Sequence, residues 1–441
     1  MRLRLIAGWL IVLTLVAAIG YAQNPPAQAP AIRLSLADAL DLARRHNPIY
    51  RQVLNDRWAA ARDNRSATLN LITPNADMGA SMYVSQAGTR SFSGLAFRVP
   101  GVRQQSYSFG LSYALSGATL SSRGLTGSIL NAVDQDIAGA EMQLATSVRS
   151  AYLTVLQMRA QEELARRTLE RGREGLALAQ ARHAVGQTTL IDVRREEVAR
   201  GNAEVALLRA NQNVQNSILS LYGVLGVGAP AQVALTDSFP VAELVWSADQ
   251  LVARALRENP GLNALRARAS WATWNVRVSR SLYLPSLFAS AGVGKSRTMV
   301  DTTGASWVPQ SNPWSVSIGV QLPLYDGLSR SVRTASARAQ QDDIDHAIRA
   351  SELAVAAQVT AAFNTLQAAY RTIAIQEANR TASTEALELA TQRYRVGSGS
   401  YIELLDARVG AERADADYVG AVYEYHRAIA NLENAVGRPL R

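Results

Sequence analysis

Gln392 to Val409 reads QRYRVGSGSYIELLDARV, and Ala181 to Val198 reads ARHAVGQTTLIDVRREEV. Arg393, Val396 and Gly397 in the first stretch answer Arg182, Val185 and Gly186 in the second, and Glu403 answers Asp192. The offset is about 211 residues, nearly half of the 441-residue chain, which marks an internal duplication. In each copy a glycine ends one helical run and small hydroxylated residues open the next. Both stretches therefore read as tight turns between long antiparallel helices, at the same end of the molecule.

Working outward, the same offset recurs. Ser35 to His46 has apolar residues at helical spacing and stops at Asn47-Pro48; Ser247 to Arg257 stops at Asn259-Pro260. Proline restricts the residue before it and cannot sit deep in a helix, so each pair divides a short helix from a longer one. Leu144, Val148, Ala151, Val155 and Met158 step by four and three, as do Val355, Val359, Ala362, Leu366, Ala369 and Ile373. That is the coiled-coil period. The helix expected from Thr119 to Arg182 lacks proline and would run roughly 95 Å. The helices after Pro48 and after Thr188 together approach its length, so two short helices would stack end to end beside one long helix.

Between these helices the period changes from 3.6 to 2. Tyr107, Phe109, Leu111, Tyr113 and Leu115 alternate with serine, glycine and alanine; Trp314, Val316, Ile318, Val320 and Leu322 do the same. Earlier partners are Met78, Ala80, Met82 and Val84, then Leu287, Ala289, Ala291 and Val293. Strands are expected at 76–88 and 105–116, and at 285–296 and 313–323. Their length and their one apolar face suit tilted membrane strands. Trp307, Trp314, Tyr83, Tyr107 and Tyr325 are candidate interface aromatics. Gly88 to Gln105 and Ser296 to Asn312 read as long external loops. Four strands cannot close a barrel in lipid, because open edges would leave backbone groups unpaired, so a barrel must be shared between protomers.

The fold class is thus mainly α with a short β-barrel: a long antiparallel coiled-coil helical tunnel plus a transmembrane barrel shared between protomers, internally duplicated. Residues 1–22, with Arg2 and Arg4 before an apolar run, read as a signal peptide. Residues 23–228 form the first repeat, 229–246 a linker and 247–441 the second repeat. The chain has no cysteine, which an exported protein resting on packing alone tolerates. The net charge of +9 is dispersed along helices among acids, which argues against a nucleic-acid surface. The four histidines have no ligand spacing, and no nucleophile elbow, phosphate loop or HExxH is present, so neither a cofactor, a metal nor an enzyme is expected.

The order of elements, both NP breaks, the LPLYDG run at Leu322 to Gly327 and the two VG turns together resemble the TolC-like outer-membrane efflux proteins, over essentially the whole mature chain. The resemblance implies a homotrimer in the Gram-negative outer membrane, with a long periplasmic part. It implies a passive exit duct of a tripartite efflux or type I secretion system that docks on a periplasmic adaptor and, through it, an inner-membrane pump. Carried over, Glu403 and Asp406 would form acidic rings at the pore constriction, and three-residue spacing lets one helix face present both. Tyr394 and Asp192 match a latch that holds the entrance shut. Val185, Gly186, Thr188, Thr189, Val396, Gly397 and Ser400 would form the adaptor-docking tip. A basic residue that the family carries just after the second glycine is replaced by Ser398-Gly399, so the closed-state network is expected to be wired differently. The alternative is a non-conducting coiled-coil spacer of the cell envelope.

Overall fold

The computed structural model describes residues 32–440 apart from 231, 238, 243–244, 302–306 and 310–312. The expected signal peptide and part of the linker lie outside the described residues. The chain opens with β1 (Ile32–Leu34), α1 (Leu36–His46) and α2 (Pro48–Leu69), then β2 (Asn75–Ser85), β3 (Gly88–Phe92), β4 (Leu95–Val99) and β5 (Gly101–Leu115). The helices α3 (Gly117–Ala184) and α4 (Leu190–Leu225) follow. The second half runs β6 (Val233–Leu235), α5 (Ala248–Glu258), α6 (Pro260–Ser281), β7 (Ser286–Asp301), β8 (Trp307–Pro309), β9 (Trp314–Gln321), α7 (Ser329–Arg395) and α8 (Tyr401–Val436). Helix lengths match between halves: 11 residues in α1 and α5, 22 in α2 and α6, 36 in α4 and α8, and 68 against 67 in α3 and α7.

The Asn-Pro pairs do more than break a helix. Asn47 ends α1 through its backbone N–H to the Ala43 carbonyl, and its side-chain oxygen accepts from the Tyr50 N–H to start α2. Its amide nitrogen donates to the Val224 carbonyl at 2.8 Å, satisfying an orphan carbonyl at the C-terminus of α4. Gly226, at φ 76°, closes that terminus so tightly that a Cβ would lie 2.4 Å from the His46 oxygen. Asn259 repeats the device on the Ala435 carbonyl at 3.0 Å, with Gly437 at φ 86° against Pro260. One asparagine thus joins three helix ends, and α4 meets α2 end to end, as α8 meets α6.

Both long helices carry the packing. α3 lies along α2 and α6 over its first part and along α4 and α8 over the rest; α7 lies along α6 and then α8. At mid-height each half has its own core. Val148, Tyr152, Leu221 and Leu225 are buried beneath α1 in one, and Val359, Tyr425, Leu432 and Leu251 in the other. The two fully buried tyrosines find acceptors for their hydroxyls: Tyr152 donates to the Leu34 carbonyl at 3.0 Å and Tyr425 to that of Ala242.

The sheet runs β2–β5–β7, with β8 and β9 paired in succession on the far side of β7, all antiparallel. Its register sorts the side chains by face. Met78, Phe109, Val293 and Trp314 form one cross-strand row, and Asp77, Gly110, Gly292 and Ser315 form the next, on the opposite face. The apolar face is bare: Met78 is 83% and Trp314 76% exposed. The small face has two large exceptions: Phe288, whose ring covers Gly319, and Tyr83, which the register pairs with Gln104 and so places opposite the apolar face of Tyr107 and Trp314.

Several expectations about the strands change. Residues 88–105 are not a loop: β3 and β4 form a hairpin around Ser93 and Gly94, both at positive φ, and β5 starts at Gly101. Serine and glycine there are the two central residues of a tight hairpin turn, which composition alone does not distinguish from a loop. β2 ends at Ser85 rather than 88, and β7 extends to Asp301, so the loop expected at Ser296 to Asn312 is strand over its first residues and holds β8. Tyr83, Tyr107, Trp314 and Tyr325 are exposed, while the side chain of Trp307 lies outside the described residues.

Candidate functional site: the paired helical turns

The two turns lie at the ends of α3 and α7, roughly 100 Å along the helices from the sheet. In the first, the Gly186 N–H donates to the His183 carbonyl at 3.0 Å and the Gln187 N–H to that of Arg182 at 2.9 Å. Gly186 sits at φ 74°, where a side chain would be strained. Thr189 then caps α4, and Asp192 returns to it. The Asp192 carboxylate accepts from the Thr189 hydroxyl at 2.8 Å, the Thr188 hydroxyl at 2.9 Å and the Thr189 N–H at 3.3 Å. Burial pushes its carboxyl pKa up, but these hydrogen bonds and Arg195 outweigh burial and hold it below the ordinary value.

The second turn repeats the backbone and changes the side chains. Gly397 is at φ 79°, and the Ser398 and Gly399 amides both donate to the Arg393 carbonyl, at 2.9 and 3.0 Å. A Cβ on Gly399 would lie 3.0 Å from the Arg393 Cβ and 3.2 Å from the Tyr394 nitrogen. A side chain at this position would therefore need the turn to open by a few tenths of an ångström. Ser400 caps α8 by accepting from the Glu403 N–H, but Glu403 does not return to the cap; its carboxylate pairs with Arg393. Asp406 is exposed and makes no hydrogen bond or ion pair among the described residues.

Tyr394 and Asp192 do not meet within the protomer. Tyr394 is buried, packs edge-on against Tyr401 at 6.2 Å and lies under the Arg182 guanidinium at 4.7 Å. Arg182 also donates to the Tyr394 carbonyl at 2.5 Å, so α3 is tied to the end of α7 through arginine. The Tyr394 hydroxyl is buried with no partner among the described residues. A second tie joins the hairpins: Arg408 on α8 donates to both oxygens of Glu196 on α4, at 2.8 and 3.1 Å. Arg182 and Arg393 are visible in the sequence as repeat partners, but their different jobs are not; the Glu196–Arg408 pair has no repeat equivalent and no motif to announce it.

Val185 and Val396 are exposed at the two turns, at 68% and 79%. Beside them Leu190, Ile191, Val198, Tyr401 and Leu405 line an apolar groove of about 610 Å³, flanked by Arg194 and Arg195. Glu403 and Asp406 are not among its lining residues. The turns therefore offer an apolar surface and separate carboxylates, and no catalytic constellation. Among the described residues no helix is long and apolar enough to cross a membrane.

The sequence profile of outer membrane efflux proteins matches residues 57–227 and 251–438. The outer membrane efflux protein BepC of Brucella suis is 26% identical over 289 residues, covering 66% of this chain and 62% of the relative. The pyoverdine export outer membrane protein OpmQ of Pseudomonas putida is 28% identical over 304 residues, covering 67% of this chain and 62% of the relative. Against these two relatives the chain spans less than two thirds of their length. The crystal structure of the Campylobacter jejuni CmeC outer membrane channel matches with a TM-score of 0.76 and 16% identity, covering 91% of this chain and 85% of the other, which shows a shared fold. With both halves of the chain matched and the turns, sheet and stacked helices in place, this protein belongs to the outer membrane efflux protein family.

Proposed function

We propose that the protein is a trimeric exit duct of the Gram-negative outer membrane that docks by its helical turns on a periplasmic adaptor and, through it, serves an inner-membrane pump. The observation that carries this reading is the sheet register. Every residue of the row Met78, Phe109, Val293, Trp314 faces one way, and every residue of the row Asp77, Gly110, Gly292, Ser315 faces the other. The first face suits lipid and the second a watery lumen. β2 and β9 each have an edge without a strand partner among the described residues. Hydrocarbon does not tolerate such edges, so neighbouring protomers must supply them. Three copies of four long strands make a closed barrel of twelve, above the minimum of about eight.

In such a trimer the helices continue the barrel as an internally duplicated coiled-coil tunnel. Glu403 and Asp406 then ring its entrance, and Val185, Gly186, Thr188, Thr189, Val396, Gly397 and Ser400 form the surface for the adaptor. The Tyr394 hydroxyl and Asp192 would form a latch if the turn closes further, since the Asp192 carboxylate retains acceptor capacity. Planar-bilayer recording on the purified protein tests the duct: stepwise conductance is expected, and an SDS-resistant or cross-linkable trimer with it. A non-conducting protein would leave only the spacer reading. For the tip, Gly397→Val is expected to abolish export while membrane insertion persists; retained export would reduce the turn to a helix connection.

A further inference from the structure

The apolar face of the sheet changes character toward the end remote from the helices. Moving outward from Phe109, the same face carries Tyr107 opposite Lys295, then Gln105 opposite Arg297, then Arg103 opposite Met299. No bulge interrupts β5 against β7 from Leu115 to Gly101, so the alternation holds throughout. Lys295, Arg297 and Arg103 are exposed, and none pairs with a carboxylate among the described residues. Arg103 and Arg297 are diagonal neighbours on adjacent strands, close enough for their long side chains to converge on one ligand.

The distribution is one-sided in two senses. The rows nearer the helices carry Leu111, Tyr113, Leu115, Ala289, Ile318 and Val320 on this face, with no Lys or Arg. The opposite, small face at the same height carries Gln104, Ser106, Ser296 and Thr298, again with no Lys or Arg. The cations therefore belong to the outward face and to one membrane leaflet. Their height fits. From Leu115 to Gln105 the strand climbs about 26 Å at about 3.4 Å per residue and about 40° tilt, the height of the apolar band of a membrane barrel. They also lie on β5 and β7, the inner strands of the protomer's sheet, away from the edges that would pair with other protomers.

We propose that Arg103, Lys295 and Arg297 form a binding site for a phosphorylated glycolipid of the outer leaflet. Its acyl chains lie along Phe109, Val293 and Tyr107, and its phosphates sit on the three cations. This rests on the reading of the sheet as part of a membrane barrel with the helices in the periplasm. Guanidinium groups bind phosphate through paired hydrogen bonds, and desolvation at the edge of the band strengthens the attraction. An anionic lipid with a single phosphodiester would engage fewer of the cations, so the site discriminates by phosphate number.

The test uses the full-length protein in mild detergent, titrated with diphosphoryl lipid A, dephosphorylated lipid A and phosphatidylglycerol and read by native mass spectrometry. Wild-type protein is expected to bind the diphosphoryl form at least about tenfold tighter than either other lipid. The triple variant R103Q/K295Q/R297Q should weaken that binding by about a hundredfold, while R103K/R297K, which keeps the charges, should retain most of it. Equal binding of the three lipids by the wild type, or undiminished binding by the triple variant, would overturn the site. Planar-bilayer conductance recorded in parallel separates the two readings. A conducting protein with no lipid preference ends this inference and leaves the duct, whereas a phosphate preference without conductance keeps the site and ends the duct.

Discussion

Arg408 of α8 holds both carboxylate oxygens of Glu196 of α4, at 2.8 and 3.1 Å, across the gap between the two helical hairpins. The Glu196 side chain is 2% exposed and that of Arg408 19%. Opposite them α3 contributes Gly175, where a Cβ would lie 2.8 Å from one Glu196 oxygen. Near the two turns, the relative position of the hairpins thus depends on this ion pair and on Arg182 bound to the Tyr394 carbonyl.

Removing one partner of a buried pair leaves the other charge uncompensated. Arg408→Met is expected to destabilise the protein by about 3 kcal/mol, and Glu196→Met/Arg408→Met together by much less. A double-mutant cycle by thermal unfolding measures the difference. Two single effects that simply add would show that the pair is not coupled.

Glycines with the same backbone conformation should respond unequally. At Gly186, φ 74°, a Cβ would meet nothing within 4 Å, whereas at Gly226, φ 76°, it would lie 2.4 Å from the His46 carbonyl oxygen. Gly186→Ala should cost about 1 kcal/mol, the left-handed penalty alone. Gly226→Ala should cost several times that, because the junction of α1, α2 and α4 must open. Melting temperatures of the two variants give the comparison.

Acid should loosen the first turn through Asp192. Its folded pKa is lowered, so its contribution to stability is fully present above the unfolded value of about 3.9 and is lost as pH falls through the folded value. Asp192→Asn should therefore lower stability by a constant amount from pH 7 down to about pH 5. The gap between variant and wild type should narrow below that and close in stronger acid. A gap independent of pH would mean that the carboxylate charge plays no part in the capping box.

After the second turn the two acids, Glu403 and Asp406, should not act alike. Glu403 is paired with Arg393, whereas Asp406 is exposed without a partner among the described residues. If both face the lumen of a trimer, Asp406→Asn should lower cation selectivity. Arg393→Gln should raise it by unmasking Glu403. Reversal potentials in a salt gradient report both shifts, and opposite signs are the signature expected.

Much of this protein is legible in its sequence because its physics is periodic. A spacing of 3.5 marks α3 and α7, a spacing of 2 marks β5 and β9, and proline marks the start of α2 and α6. The duplication then implies equal helix lengths in the two halves, since a repeated pattern must bury a repeated face. Local composition misleads where glycine and serine have two uses, as at Ser93-Gly94, which turns a hairpin rather than loosening a loop, and at residues 296–301, which continue β7.

What the sequence alone determined is the helices, the four long strands, their amphipathic faces and the two glycine turns, because these depend on neighbours a few residues away. What only the tertiary structure decided is which distant side chains meet. Asn47 reaching Val224, Arg182 reaching Tyr394, Arg408 reaching Glu196 and the row from Met78 to Trp314 all join residues far apart in the chain. Helical and strand periods fix the face a residue occupies but not the register of one element against another. That register is set by close packing at positions such as Gly226 and Gly437, where a Cβ would lie 2.4 Å from the His46 carbonyl oxygen and 2.5 Å from the Pro260 ring.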